Sequence, residues 1–420
     1  MASATPAELT QTKEQQVNAV YESFDFGPLW QRLGECLAIV DSAGLNDVAT
    51  VLLPIIESLM VVCKYVGTKA DSGVARGSLS PRSPVATLDS TEDLFLRFTD
   101  AHRKILNVLV RNNPSLMSGS FALLVQNPKI LEFDNKRNYF TQQLRRRPNR
   151  EAPSALQVNV RREHVFEDSF SRFQRWTPEQ IKFGKLNIRF FNEEGVDAGG
   201  VSREWFSCVP PSLAEHVPFR RLTSSLPCLA SSVLAKSIFN PDFALFEPAS
   251  SGALTYQFNR LSSINPDHLA FFKFVGVVLA KAVQDGRLLD AHFIRSVYRQ
   301  LLGVKNMGLQ DLETVDPSYH TSLKWMAENS IEDILELSFS VETDAFGVQQ
   351  VHDLIPDGRN VAVTDDNKME YIQKIVNFRL ADSIADQSKA FIDGFTSCAL
   401  LPSFLTIAGR HSADLFPFLP

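Results

Sequence analysis

The chain offers five thiols, Cys36, Cys63, Cys208, Cys228 and Cys398. A cysteine becomes a nucleophile as its thiolate, which needs a cation, a histidine or a helix N-terminus nearby. None of the eight histidines neighbours a candidate nucleophile in sequence. Cys36 and Cys63 fall in apolar helical stretches and read as small core residues. Cys398, in "TSC", lies in a short run of Leu, Phe and Pro that supplies no activating group, so no catalytic residue is assigned. No two cysteines have the spacing of metal ligands or of a disulfide framework. No metal or cofactor is expected, and a reducing, intracellular setting, cytoplasmic or nuclear, fits the cysteine usage.

The second stretch that suggests chemistry is "EEGVDAGGVSREWF", residues 193–206. Paired glycines before a helix raise the question of a phosphate. Here Glu193, Glu194 and Asp197 line the turn and would repel one, and no phosphate-loop pattern is present. Gly199 and Gly200 instead permit close backbone approach, and Asp197 can take up free N–H groups at the helix start. Glu194, Asp197, Arg203 and Glu204 therefore read as the architecture of a rigid strand-to-helix corner.

Elements must hold that corner. "SALQVNVRR" and "LNIRFFN" alternate apolar and polar residues as strands do, with a helix, "HVFEDSFSRFQRW", between them. Helices are expected over 267–285, 289–302, 318–329 and 367–394, and a small sheet around "LELSFSVET", "VHDLIP" and "GRNVAVT". The fold class is α+β with helices dominant. Upstream, residues 1–66 form a helical segment kinked at Pro54, and 92–150 a second one broken at Asn113–Pro114 and Asn127–Pro128. Residues 67–91, rich in Gly, Ser and Pro, read as a flexible linker. The chain has 420 residues, 44% of them apolar, and a formal net charge of −6, which gives no reason to expect nucleic acid as a partner. No apolar run reaches membrane-spanning length, and the N-terminus has no signal core.

"NEEGVDAGGVSREWF" (192–206) closely resembles the hallmark segment of HECT-type ubiquitin ligases. "VRREHVFEDSF" (160–170), "FNPDFALFEP" (239–248), "NPDHLAFFKFVGVVLAKAVQDGRLLDAHF" (265–293) and "FGVQQVHDLIPDGRNVAVTDDNKMEYI" (346–372) resemble other segments of the HECT N-lobe, in the family's order. The resemblance spans about 155–395, and the upstream pieces are similar to the region before this domain in the very large HECT ligases. It implies an acyl-transfer enzyme: a ubiquitin-conjugating enzyme docks on the N-lobe, and ubiquitin passes to a cysteine on a C-terminal lobe and then to a lysine of an unknown protein substrate.

Two stretches depart from the family. Residues 208–232 carry four prolines and interrupt an otherwise continuous helical stripe of Val201, Trp205, Val233, Leu234 and Ile238. Residues 396–420 do not resemble the family's continuation, and the motif around its catalytic cysteine is missing. Translated intron or a gene-model error accounts for both; a genuine loop is the alternative for the first. The chain is expected to lack the catalytic lobe and to keep the docking of the conjugating enzyme. The resemblance places that docking in a subdomain at about 305–375, with Leu323 and Met326 on one helix and Tyr371 on another as apolar anchors. All three fit a core equally well. Phe272, Phe274 and Val275 are expected in the core of the larger subdomain, with Gly276 admitting a neighbouring helix. The other function class is a non-enzymatic helical interaction fragment that binds through its first 150 residues.

Overall fold

The computed structural model describes residues 27–44, 49–67, 91–145, 154–193, 200–206, 233–249 and 255–398, apart from a few single positions. Most of the 67–91 linker, the 208–232 stretch, the loop residues Glu194, Asp197 and Gly199, and the tail beyond Cys398 lie outside them, as do the side chains of Arg203 and Glu204. The chain divides into two compact units, one ending at Leu144 and one starting at Arg145.

The described residues of the first unit form helices and no strand. Helices α1 (Gly27–Ser42), α2 (Ala49–Gly67), α3 (Thr91–Ala101), α4 (Arg103–Asn112), α5 (Ala122–Gln126) and α6 (Phe133–Arg145) follow in order. The breaks at Asn113 and Asn127 fall where the following prolines exclude helical geometry. α2 runs through Pro54. The apolar stripe of α1 buries Trp30, Leu33, Leu37 and Val40. Asn107 is fully buried, and its amide is satisfied by Arg103 O at 2.8 Å, Ile130 O at 2.9 Å and the Glu132 N–H at 2.7 Å.

The second unit begins with two parallel strands, β1 (Ala155–Val160) and β2 (Lys185–Phe190), paired in register from Ala155 opposite Lys185. Parallel strands need a crossover, supplied here by α7 (Val165–Phe173) and α8 (Pro178–Phe183). Thr177 caps α8 with a capping box to Gln180. Beyond the corner, α9 (Gly200–Phe206) and α10 (Val233–Ile238) bury Trp205, Leu234 and Ile238 of the expected stripe, with Phe206 beside them, while Val201 is half-buried. Strands β3 (Phe246–Pro248), β4 (Thr255–Phe258) and β5 (His292–Phe293) form a small mixed sheet.

The centre of this unit is the crossing of α11 (His268–Asp285) with the last helix, α16 (Ala385–Cys398). Phe272, Phe274, Val275 and Val278 on α11 are buried, as are Phe391 and Phe395 on α16. The two backbones nearly touch. A methyl group at Gly276 would sit 2.0 Å from the Phe391 carbonyl oxygen, and one at Gly394 would sit 1.9 Å from that of Lys273. Lys281, 1% exposed, donates from Nζ to Gly184 O at 2.6 Å and to Asp285 Oδ1 at 2.9 Å. It pins the start of β2, the strand that feeds the corner.

Between α12 (Arg295–Leu301) and α16 the chain makes an excursion: α13 (Leu309–Leu312), α14 (Pro317–Glu328), the antiparallel hairpin β6 (Ser340–Ala345) with β7 (Val348–Asp353), and α15 (Lys368–Leu380). The excursion has its own core, built on Met307, Leu312, Ile331, Phe339, Ile375 and Val376. Two expected helices are divided. Residues 292–293 pair as a strand before α12, and the expected 367–394 helix breaks at 381–384, where the chain returns from the excursion to the larger body.

Candidate functional site

The excursion covers the residues, about 305–375, at which the resemblance leads one to expect a small subdomain. α14 and α15 run antiparallel through it. α14 starts at the junction with the larger body, where the Asp316 carboxylate caps it through the Tyr319 N–H at 3.0 Å and meets Arg379 at 3.3 Å. α15 ends there. Their other ends form a tip. Lys368 donates from Nζ to Asn329 O at 2.7 Å and to Asp365 at 2.9 Å, and Asp365 also accepts from the Ile331 N–H at 3.1 Å and from Ser330. Ser330 and Lys368 hold the Asp365 carboxyl down at about 2.

Leu323, Met326 and Tyr371 do come together, but inside. They are 2%, 5% and 5% exposed and belong to the subdomain core. Tyr371 packs edge-on against Phe339 and donates its hydroxyl proton to Tyr319, and burial pushes its pKa up to about 12. Arg379 stacks over the Tyr319 ring at 3.9 Å. The apolar groups that face outward are others, on the β6–β7 hairpin, where Phe346, Val348 and Val351 are exposed, and at the tip. Trp325 is 43% exposed, Ile334 61%, Leu335 37% and Met369 60%. All four lie at the tip, on segments tied together by the Lys368 and Asp365 bonds. Trp325 is nine residues from Asp316 along α14, about 14 Å by helical rise. Sequence pattern alone separates such residues poorly, since Trp325 sits between two members of the buried stripe.

At the junction end a cleft of about 140 Å³ opens between the two bodies. Glu247, Gln257 and Phe258 line it from the larger body; Leu312, Val315 and Arg379 line it from the subdomain. Burial raises the Glu247 carboxyl, while Arg260 and Gln257 work against that rise.

Among the described thiols, Cys63 and Cys398 are not set up for attack. Burial pushes Cys63 up to about 12 and raises Cys398, the terminal residue of α16, whose Sγ faces Pro178 O at 3.8 Å. Cys36 lies on the exposed side of α1, in the other unit. Among the described residues no cluster of His, Cys, Asp and Glu could hold a metal ion, and no helix is long and apolar enough to cross a membrane.

The sequence profile of the HECT domain (ubiquitin-transferase) matches residues 232–407. This chain belongs to the HECT family. The match begins at the end of the 208–232 stretch and runs past Phe395, into residues expected to fall outside the family. The chain is 47% identical to the E3 ubiquitin-protein ligase TOM1-like of Neurospora crassa over 93% of its own length and 9% of that protein. It is 46% identical to the E3 ubiquitin-protein ligase ptr1 of Schizosaccharomyces pombe, over 93% of the chain and 11% of that protein. With the mouse E3 ubiquitin-protein ligase HUWE1 the identity is 33%, over 91% and 9%. The chain thus spans about a tenth of the length of these relatives, and the similarity to them takes in the upstream helical unit as well as the HECT segment.

Proposed function

We propose that this chain is a segment of a HECT-type ubiquitin-protein ligase and that residues 305–375 dock a ubiquitin-conjugating enzyme. In this chemistry a ligase thiolate attacks the conjugating enzyme's thioester carbonyl, the conjugating enzyme leaves as thiolate, and a substrate lysine amine then attacks the new thioester. The observation that carries the docking is the tip: a subdomain with a complete core of its own still exposes four large apolar groups at the end away from the main body. Apolar anchors ringed by polar side chains suit a transient interface. Leu323, Met326 and Tyr371 belong to the docking site as the floor beneath these anchors. Calorimetric titration with a conjugating enzyme tests it. Trp325→Ala with Met369→Ala abolishes binding and leaves the melting temperature within a degree or two; retained binding sinks the assignment to the tip.

A second role is proposed for the helical unit. Val51, Ile55 and Val61 form a solvent-facing apolar stripe on α2, 74%, 44% and 37% exposed. Such a stripe suits packing against a further helix, as an interaction fragment requires. Replacing all three by Ser leaves the unit folded and removes any self-association or partner binding that it supports, as read by sedimentation.

A further inference from the structure

The small subdomain joins the larger body by two chain crossings, 302–308 and 381–384. Gly303 in the first has φ +74°, with no atom within 4 Å of where a Cβ would be. A body carried on two chain crossings can turn about them as a hinge. The junction cleft lies beside them, so the packing that would stop rotation is incomplete there.

What does span the junction is polar. Asp311, on α13 of the small subdomain, is 1% exposed. Its Oδ2 accepts from the Gly308 N–H at 2.8 Å and pairs with the Arg299 guanidinium; its Oδ1 faces Arg295 Nε at 3.6 Å. Both arginines belong to α12 of the larger body. On the same helix, Gln300 Nε2 donates to Leu380 O at 2.7 Å, at the second crossing, and Gln300 Oε1 accepts from Ser388. One helix therefore grips both crossings. A guanidinium–carboxylate pair is directional, and Arg299 holds the buried carboxylate by one, while Arg295 Nε, 3.6 Å from Oδ1, adds its charge without a hydrogen bond between those two atoms.

We propose that Asp311 is a positioning residue: with Arg295 and Arg299 it latches the angle between the docking subdomain and the larger body, and so fixes where a docked conjugating enzyme presents its thioester. The proposal rests on the docking reading above. A misplacement of ~1 Å can cost ~10²-fold in a reaction that depends on approach geometry. The tip, a helix length away, touches none of these groups. The latch thus separates where the donor is held from how tightly it is held.

The test measures that separation on the 420-residue chain. Spin labels attached by non-cysteine chemistry at the exposed positions Glu179 and Gln349 report the distance between the two bodies. The unsubstituted chain gives one narrow distribution. Asp311→Asn keeps size and removes the charge; its distribution roughly doubles in width, as a freed hinge does, while the dissociation constant for a conjugating enzyme stays within about two-fold. Arg299→Met broadens the distribution likewise, and Arg299→Lys, which keeps the charge and loses the planar fork, falls between. A distribution as narrow in Asp311→Asn as in the unsubstituted chain overturns the proposal. If Asp311→Asn fails to fold, the order of Arg299→Lys and Arg299→Met decides. Failure of the unsubstituted chain to bind a conjugating enzyme overturns the docking reading, and the distance measurement still decides the latch.

Discussion

Single residues at the tip and in the core make separate contributions, and substitution tells them apart. Asp365 is held near 2 by Ser330 and Lys368, below the 3.8 of an unperturbed aspartate. Its folded value is depressed, so its stabilising effect is complete above about pH 4 and fades as pH falls through 2. Carbon-13 titration of the Asp365 carboxyl gives a midpoint close to 2, and Lys368→Met moves it upward; a midpoint unchanged by that substitution contradicts the assigned cause. Leu323→Ala empties a site that is 2% exposed, and such truncations cost about 2–5 kcal/mol. Chemical denaturation reads that loss directly. Tyr371→Phe keeps the ring and loses only the hydrogen bond to Tyr319, about 1 kcal/mol.

At the scale of elements, the contact between α11 and α16 is governed by two glycines. Gly276→Ala or Gly394→Ala drives a methyl into carbonyl oxygen on the facing helix. The helices must separate, at a cost of about 3 kcal/mol, near the top of what overpacking costs. A melt unchanged by either substitution shows that the helices are not apposed in this way. One half of that contact was legible in the sequence. "FFKFVGVVLAKAV" is apolar almost throughout, so a glycine within it marks a close approach, but nothing in "FIDGF" identifies Gly394 as the counterpart. The strands at 155–160 and 185–190 were legible because alternation with period two has no helical equivalent. The break at 381–384 was not, because it arises where the chain leaves one core for another and leaves no proline or glycine behind. Leu323 and Met326 were recognised as important apolar positions. Their orientation stayed open for a physical reason: periodicity identifies a stripe, and only the packed structure says whether core or partner covers it. Asp311 was not singled out at all, since an acidic residue in a four-residue helix looks like an ordinary cap.

On the scale of the whole molecule, the second unit is a large body carrying a smaller one on two crossings. Each has a core that the other does not complete. Replacing residues 307–380 with a short Gly/Ser connection leaves the large body folded. The expected result is a circular dichroism spectrum reduced by the loss of α14 and α15, a cooperative melt, and no binding of a conjugating enzyme. Loss of cooperativity shows that the two bodies share one core after all.

The two crossings also lie close together. The Met307 N–H donates to Asn377 Oδ1 at 2.8 Å, and Gln373 Nε2 donates to Met307 O at 2.8 Å, so the entry and the exit of the excursion are stitched side by side. A segment whose ends meet is a cassette: it can be lifted out and another put in without re-threading its host. If residues 305–375 dock the conjugating enzyme as proposed, choice of donor can change hands by exchange of one contiguous stretch of gene, provided the newcomer brings an acid that α12 can grasp. The tip would drift freely as recognition diverges, and the constraint on inheritance would fall on the stem.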